Sequence, residues 1–231
     1  MNLRSLAAKE YMKGRSRLND RIQWLYHERT NPLKYQTFFL GNTEYSYFLH
    51  PYNHTWSNER AVEVPVAVRL LNSDKNATVL EVGNVLSHYF NLRHIVLDKY
   101  ERSWLRPVVN QDLLEYKPMQ RFDQIVSIST IEHVGWDETP RIEEAVLSGF
   151  RKVRSLLAPG GRALITVPVG YNTYLDRHVP DLIDHKTTLR CLKRIAKDNQ
   201  WEEVDLRDAL SCKYGAPYNN ANAVVFVSLK E

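Results

Sequence analysis

The chain has 231 residues, 43% of them hydrophobic, which suffices for one substantial core and fits one domain with an added segment better than two complete domains. No apolar run approaches the roughly 20 residues of a bilayer crossing, and the opening MNLRSLAAKE puts charges where a signal peptide carries its apolar stretch, so a cytoplasmic protein without a membrane span is expected. Two cysteines without C-x-x-C spacing argue against a disulfide framework or zinc site, and the net charge of +4 comes from residues 1–35, where eight Lys/Arg face three Asp/Glu in the manner of a solvated helix face.

Taken in chain order, Leu3, Ala7, Tyr11, Leu18, Ile22 and Leu25 recur at helical spacing and predict one or two amphipathic helices through about residue 28. The aromatic-rich stretch 35–56, broken by Gly41, Asn42 and Pro51, predicts a short hairpin and then a loop. Asn58 is placed to cap a helix whose stripe Ala61, Val64, Val68 and Leu71 ends near Asn72. Residues 1–57 therefore read as an extension packed on a core domain, 58–231.

Within that domain short apolar runs at 78–82, 94–98, 107–109 and 122–128 read as buried strands. A long helix is predicted over 139–157, stopped by Ala158-Pro159-Gly160-Gly161, then a strand over 162–167 and a helix over 185–199. Strands near 202–206 and 223–229, with no helix between them, are expected to pair antiparallel. The alternation predicts an α/β fold on a mostly parallel sheet with right-handed crossovers.

In such a sheet the ligand lies beyond the carboxyl ends of the strands. Glu81 and Gly83 end the first strand, Asp98 followed by Lys99 the second, Asp112 and Leu113 follow the third, and Ser129 to His133 the fourth. An adenosine ligand would use these types: glycine for close backbone approach, Asp98 to accept two ribose hydroxyl protons, and Asp112 with Leu113 for the adenine amino group and ring face.

The successive segments TVLEVGN, VLDKYE, NQDLLEY, FDQIVSISTIEHVGWDE and LLAPGGRALITVPVGYN resemble the ordered motifs of class I S-adenosylmethionine-dependent methyltransferases. The resemblance covers about residues 58–231 and implies a Rossmann-like, seven-stranded sheet ending in an antiparallel hairpin, with S-adenosyl-L-methionine as cofactor. Through residues 81–89, 127–138 and 170–172 the chain looks most similar to methyltransferase domains associated with glycan-building enzymes, of the chlorovirus sugar-methylating type. A sugar, glycan or small-molecule acceptor is thereby implied. One departure is plain: where the family has G-x-G-x-G, this chain has Gly83-Asn84-Val85-Leu86-Ser87, so the cofactor's methionine part is expected against Asn84 rather than bare backbone.

The expected cofactor contacts are Trp56, Arg60, Glu81, Gly83, Asn84, Asp98, Lys99, Asp112, Leu113, Ser129 and His133, with Arg60, beside Glu63, offered to the methionine carboxylate. His133 is the first candidate general base, since histidine's reference pKa of about 6.5 suits proton transfer at neutral pH; it also has a reading as mere packing over the cofactor. Asp137 and Asp176 are candidates to orient a histidine or serve as base, and Tyr171, Asn172 and His178 are candidate acceptor contacts. Magnesium is compatible with the acids, but no spacing demands a metal. The alternatives are a nucleic-acid or other small-molecule methyltransferase, a non-catalytic binding module and an NAD-dependent sugar-modifying enzyme. Nucleic acid is disfavoured because Ser127-Ile128-Ser129-Thr130 lacks the Asn/Asp-Pro-Pro-Tyr type motif, and the nicotinamide reading because no Tyr-x-x-x-Lys pair occurs.

Overall fold

A computed structural model describes residues 29–102 and 107–231, so the helices expected before residue 28 lie outside the described residues. The predicted hairpin is formed by β1 (Thr37–Leu40) and β2 (Thr43–Ser46), turning at Gly41 with φ +62°. Helix α1 (Arg60–Leu71) follows; the Asn58 carboxamide accepts the Arg60 N–H at 3.0 Å, and the helix stops at Asn72 as its stripe predicts.

The main sheet contains β3 (Val79–Val82), β4 (Ile95–Leu97), β5 (Val108–Val109), β6 (Phe122–Ile128), β7 (Leu157–Pro168), β8 (Thr187–Arg194), β9 (Trp201–Val204) and β10 (Ala223–Lys230). Its strand order is β5-β4-β3-β6-β7-β10-β8-β9, with β3 to β7 mutually parallel and β10 antiparallel to both β7 and β8. This is a Rossmann-like, mostly parallel sheet with an antiparallel pair, extended by the edge strand β9 to eight strands. The order reverses at β3, whose neighbours β4 and β6 carry the chain to opposite sides, so a crevice opens beyond the carboxyl end of β3.

Three elements differ from expectation. Residues 187–194 form β8 and not a helix: the neighbours Cys191 and Leu192 are both buried, the first in the core that holds Ala209 and Val225, the second in the core that holds Trp201 and Phe226. Covering on both faces removes the period-2 signal, and Leu189, Leu192 and Ala196 then mimic a helical stripe. The antiparallel pair is consequently β8 with β10, and 201–204 pairs with β8 instead of with β10.

The helix expected over 139–157 is confined to α2 (Ala145–Ser155), because 135–142 closes as a loop in which the Ile142 N–H donates to the Gly135 carbonyl at 2.8 Å. Ala158-Pro159-Gly160-Gly161 lies inside β7, where the register with β6 shifts. The β3–β4 connection carries only a single 3₁₀ turn, Leu86–His88.

Two cores sandwich the sheet. On one face Ala61, Val62 and Val64 of α1 and Phe38 and Leu40 of the hairpin cover Val126, Leu164 and Phe226. On the other, Val146, Phe150 and Val153 of α2 cover Ile125 and Ile165, joined by α3 (Thr173–His178) and α4 (Leu206–Leu210). The hairpin is pinned to the sheet by the Gly41 N–H on the Glu203 carboxylate at 2.6 Å and by the Trp201 N–H on the Tyr47 hydroxyl at 2.8 Å. Among the described residues no helix is long and apolar enough to cross a membrane.

Candidate active site

Beyond the carboxyl ends of β3, β4, β5 and β6 lies a cleft of about 250 Å³. Its walls are apolar, from Val82, Leu97, Leu113 and Val134, and its polar groups are Asp98, Lys99, Gln111, Asp112, Thr130, His133 and Glu138. Six of the residues expected at a cofactor, Gly83, Asp98, Lys99, Asp112, Leu113 and His133, thus meet in one cavity.

Gly83 has φ +85°, and a Cβ there would collide with the Thr130 side chain, so glycine is required for the loop to pass beneath β6. The next three amides are taken by carboxylates. Asn84 N–H donates to Asp98 Oδ2 at 3.1 Å, and Val85 and Leu86 N–H donate to Glu81 Oε1 at 2.8 and 2.6 Å. Glu81 is fully buried, its second oxygen lies 2.6 Å from His94 Nε2, and it is not part of the cleft wall. The residue expected to contact a cofactor is therefore the internal cap of the loop. Asn84 also turns inward: its amide donates to Glu101 at 2.8 Å and its carbonyl oxygen accepts the Ser87 hydroxyl.

Asp98 Oδ1 accepts the N–H groups of Tyr100 and Glu101 at 2.9 and 2.7 Å, which fixes the carboxylate at the cleft wall while Oδ2 accepts the Asn84 N–H. Lys99 Nζ bridges Asp112 at 2.8 Å and Glu138 at 2.5 Å, bonds that hold the ammonium protonated well above the usual lysine range. Burial alone would raise the Asp112 carboxyl, but Lys99 and the Leu114 N–H outweigh it and hold it below the usual range.

The segment after β6 starts at Ser129 with φ +38°, an uncommon conformation for a residue with a side chain. Its hydroxyl donates to Glu63 Oε1 at 2.7 Å, as does the Thr166 hydroxyl at 2.7 Å, and Glu63 is paired with Arg60. Arg60 also lies 3.9 Å from Glu59. Burial alone would lower the Arg60 guanidinium; the Glu63 and Glu59 carboxylates reverse this and keep it charged. Ser129 and Arg60, expected on the cofactor, thus join α1 to the ends of β6 and β7 in a buried network. Trp56 is buried beside His54, their ring centroids 5.1 Å apart, and does not line the cleft.

His133 Nδ1 lies 2.5 Å from Asp137 Oδ2, and the Tyr171 hydroxyl donates to the same oxygen at 2.8 Å; the His133 and Tyr171 rings meet edge to face at 4.7 Å. Burial pushes Asp137 up, yet the His133 and Tyr171 hydrogen bonds win and hold it below the usual carboxylate range. Burial and then Asp137 itself raise the Tyr171 phenol. The structure therefore brings His133, Asp137 and Tyr171 into one cluster.

Three other expected residues turn elsewhere. Asn172 is 1% exposed, with both ends of its amide spent on the Glu132 carbonyl and the Leu175 N–H, as the cap of α3. Asp176 accepts the Gly170 N–H at 3.0 Å, and burial raises it to about 6. His178 stacks on Tyr174 at 4.2 Å and bonds the Tyr174 carbonyl.

One residue escaped the sequence reading. Glu132 is 1% exposed, its Oε2 has no hydrogen-bond partner among the described residues, and Oε1 lies 3.7 Å from His133 Nε2. Burial raises its carboxyl well above the usual range. The available signal was an acid directly after Ile131, in the segment that follows β6. Among the described residues no group of three or more His, Cys, Asp or Glu is arranged to hold a metal ion.

No family model matches the chain, and no curated protein matches it. Among solved structures it is similar to the N-methyltransferase NodS of Bradyrhizobium japonicum in complex with S-adenosyl-L-homocysteine, at 14% identity and TM-score 0.46, over 72% of this chain and 84% of that one. The glycopeptide N-methyltransferase MtfA, also complexed with S-adenosyl-L-homocysteine, gives 14% identity and TM-score 0.44 over 76% and 91%. The sugar N-methyltransferase KedS8 of a Streptoalloteichus species gives 12% identity and TM-score 0.40 over 75% and 88%.

Proposed function

We propose that this chain is an S-adenosylmethionine-dependent methyltransferase that acts on a hydroxyl of a sugar or glycan. The observation that carries the cofactor reading is the pair of acids at the ends of adjacent strands, Asp98 and Asp112, facing one cleft with apolar walls. The residues fit a nucleoside. Among the described residues Asp98 Oδ2 accepts one N–H, which leaves lone-pair capacity for ribose hydroxyl donors, Asp112 offers an acceptor to the adenine amino group, and Leu97, Leu113 and Val134 suit a flat ring. S-adenosylmethionine supplies, when bound, a methyl group on a cationic sulfur that is open to displacement.

The hydroxyl reading rests on the Asp137–His133 pair. With Asp137 ionised, the His133 ring carries its hydrogen on Nδ1 toward that carboxylate and keeps the Nε2 lone pair to take a proton from an acceptor hydroxyl. Tyr171 donates to the same oxygen and fixes the carboxylate in turn. Asp137 is thereby a positioning residue, and His133 is the base. An amine that arrives unprotonated needs no such pair.

The test is transfer of labelled methyl from S-adenosylmethionine to a panel of saccharides. Label on a saccharide oxygen, lost in His133→Ala, supports the whole reading. Label on amines alone overturns the hydroxyl acceptor and leaves the cofactor; calorimetry that detects no cofactor binding to the folded protein overturns both.

A further inference from the structure

At the other end of the sheet, beside residues 162–164 of β7 and the end of β10, a groove of about 340 Å³ lies between α1, the hairpin and the sheet. It receives Arg69 from the last turn of α1, Arg162 from β7 and Lys230 from β10, together with Tyr45, Ser73 and Ser228, and no Asp or Glu lines it. We propose that this groove is a binding site for a phosphate-type oxyanion, distinct from the cleft at the carboxyl ends of the strands.

Three observations separate it from an ordinary solvated surface. First, its cations converge from three separate elements on one concavity, whereas a solvated helix face spreads its charges along a single element. Second, none of the three is spent on a carboxylate. Lys99, Arg154, Arg190 and Lys193 each meet a carboxylate within 2.8 Å, while Arg69, Arg162 and Lys230 have none within 4 Å among the described residues. Unpaired cations around a concavity attract an anion and repel one another without it.

Third, both guanidinium groups are held. Arg162 donates to Ser73 Oγ at 2.9 Å. Ser73 is itself fixed, since its hydroxyl donates to the Leu70 carbonyl at 2.6 Å and accepts from the buried Gln124 amide at 3.1 Å. Arg69 stacks over the Tyr45 ring, 5.6 Å from its centroid. A guanidinium oriented before the ligand arrives loses less side-chain entropy on binding, and its planar fork matches two oxygens of a tetrahedral oxyanion. Lys230 adds a compact third charge, and the Ser228 and Tyr45 hydroxyls add neutral donors.

The test titrates the full chain with inorganic phosphate and, separately, with glycerol 3-phosphate, followed by calorimetry and by NMR of the arginine Nε–H groups. Saturable binding that shifts the Arg69 and Arg162 signals is expected. Arg162→Ala and Arg69→Ala should each weaken it about tenfold, the loss of one charge-assisted fork. Arg162→Lys, which keeps the charge and loses the fork, should fall between, and Arg154→Ala, which removes an arginine already paired with Asp184, should leave phosphate binding unchanged. Tighter binding of glycerol 3-phosphate identifies a phosphate ester as the occupant, and tighter binding of inorganic phosphate identifies the free anion. The proposal is overturned if neither probe saturates, if binding persists undiminished in a folded Arg69→Ala/Arg162→Ala double variant, or if only an extended polyanion such as an RNA oligomer binds.

Discussion

The two loops that flank the cleft are built by opposite means. In the loop after β3, the amides of Asn84, Val85 and Leu86 all donate to carboxylates, and the side chains of Glu81 and Asn84 point into the protein. In the segment after β6, short backbone turns hold the chain, with His133 N–H on the Thr130 carbonyl and Val134 N–H on that of Ile131, so His133 and Glu138 are left to face the cleft. A glycine-rich loop exposes its amides to a ligand; this loop has satisfied them internally. The absence of the second and third glycines is thus matched by two acids, Glu81 and Asp98, that take up the loop's amides.

Breaking the first loop should have the largest effect. Glu81→Ala removes the acceptor of two amides, one of them on a fully buried residue, and should cost about 3 kcal/mol of stability in urea denaturation. Glu81→Gln, which retains one acceptor oxygen, should cost less, and equal losses would show that the oxygen is not what holds the loop. On the second loop, His133→Ala should lower turnover about a hundredfold with little change in cofactor affinity, measured by initial rates and calorimetry. A matching loss of affinity would reduce His133 to a packing residue.

Asp98 lies where the comparison is sharpest, since it both closes the first loop and lines the cleft. Asp98→Ala should weaken binding of S-adenosyl-L-homocysteine about tenfold, and unchanged affinity would remove it from the nucleoside site.

The smallest effect concerns Asp176, outside both loops. Its folded-state value of about 6 exceeds that of an unfolded aspartate, so the folded protein binds the extra proton between about pH 4 and 6 and loses stability as pH rises through that window. Allowing for its partial exposure, Asp176→Asn should gain about 1 kcal/mol at pH 7.5 and nothing at pH 4. A denaturation midpoint that rises equally at both pH values would contradict this, and lost turnover in the variant would return Asp176 to the catalytic candidates.

Much of the fold was legible locally. The runs that became β3, β4 and β5 are short, apolar and closed by Gly83, Asp98 and Asn110, and such punctuation is a property of neighbouring residues. The cap at Asn58 and the turn at Gly41 were legible for the same reason. Strand β8 was not, because two-sided burial of Cys191 and Leu192 imitates a helix. Nor was the true start of α2, where Ile142, in phase with the helical stripe, instead bonds the Gly135 carbonyl through its N–H.

The candidate site divides along the same line. Sequence by itself determined that acids and a glycine stand at successive strand ends, since strand termination and turn chemistry act over a few residues. Only the tertiary structure decided what each acid does: Asp98 and Asp112 line the cleft, Glu81 caps a loop, and Glu63 binds Ser129 and Thr166, 66 and 103 positions away. A carboxylate's task is set by whichever donors reach its two oxygens: those of Glu81 are neighbours in the chain, Asp98 and Asp112 each add one from another strand end, and those of Glu63 come from distant strands.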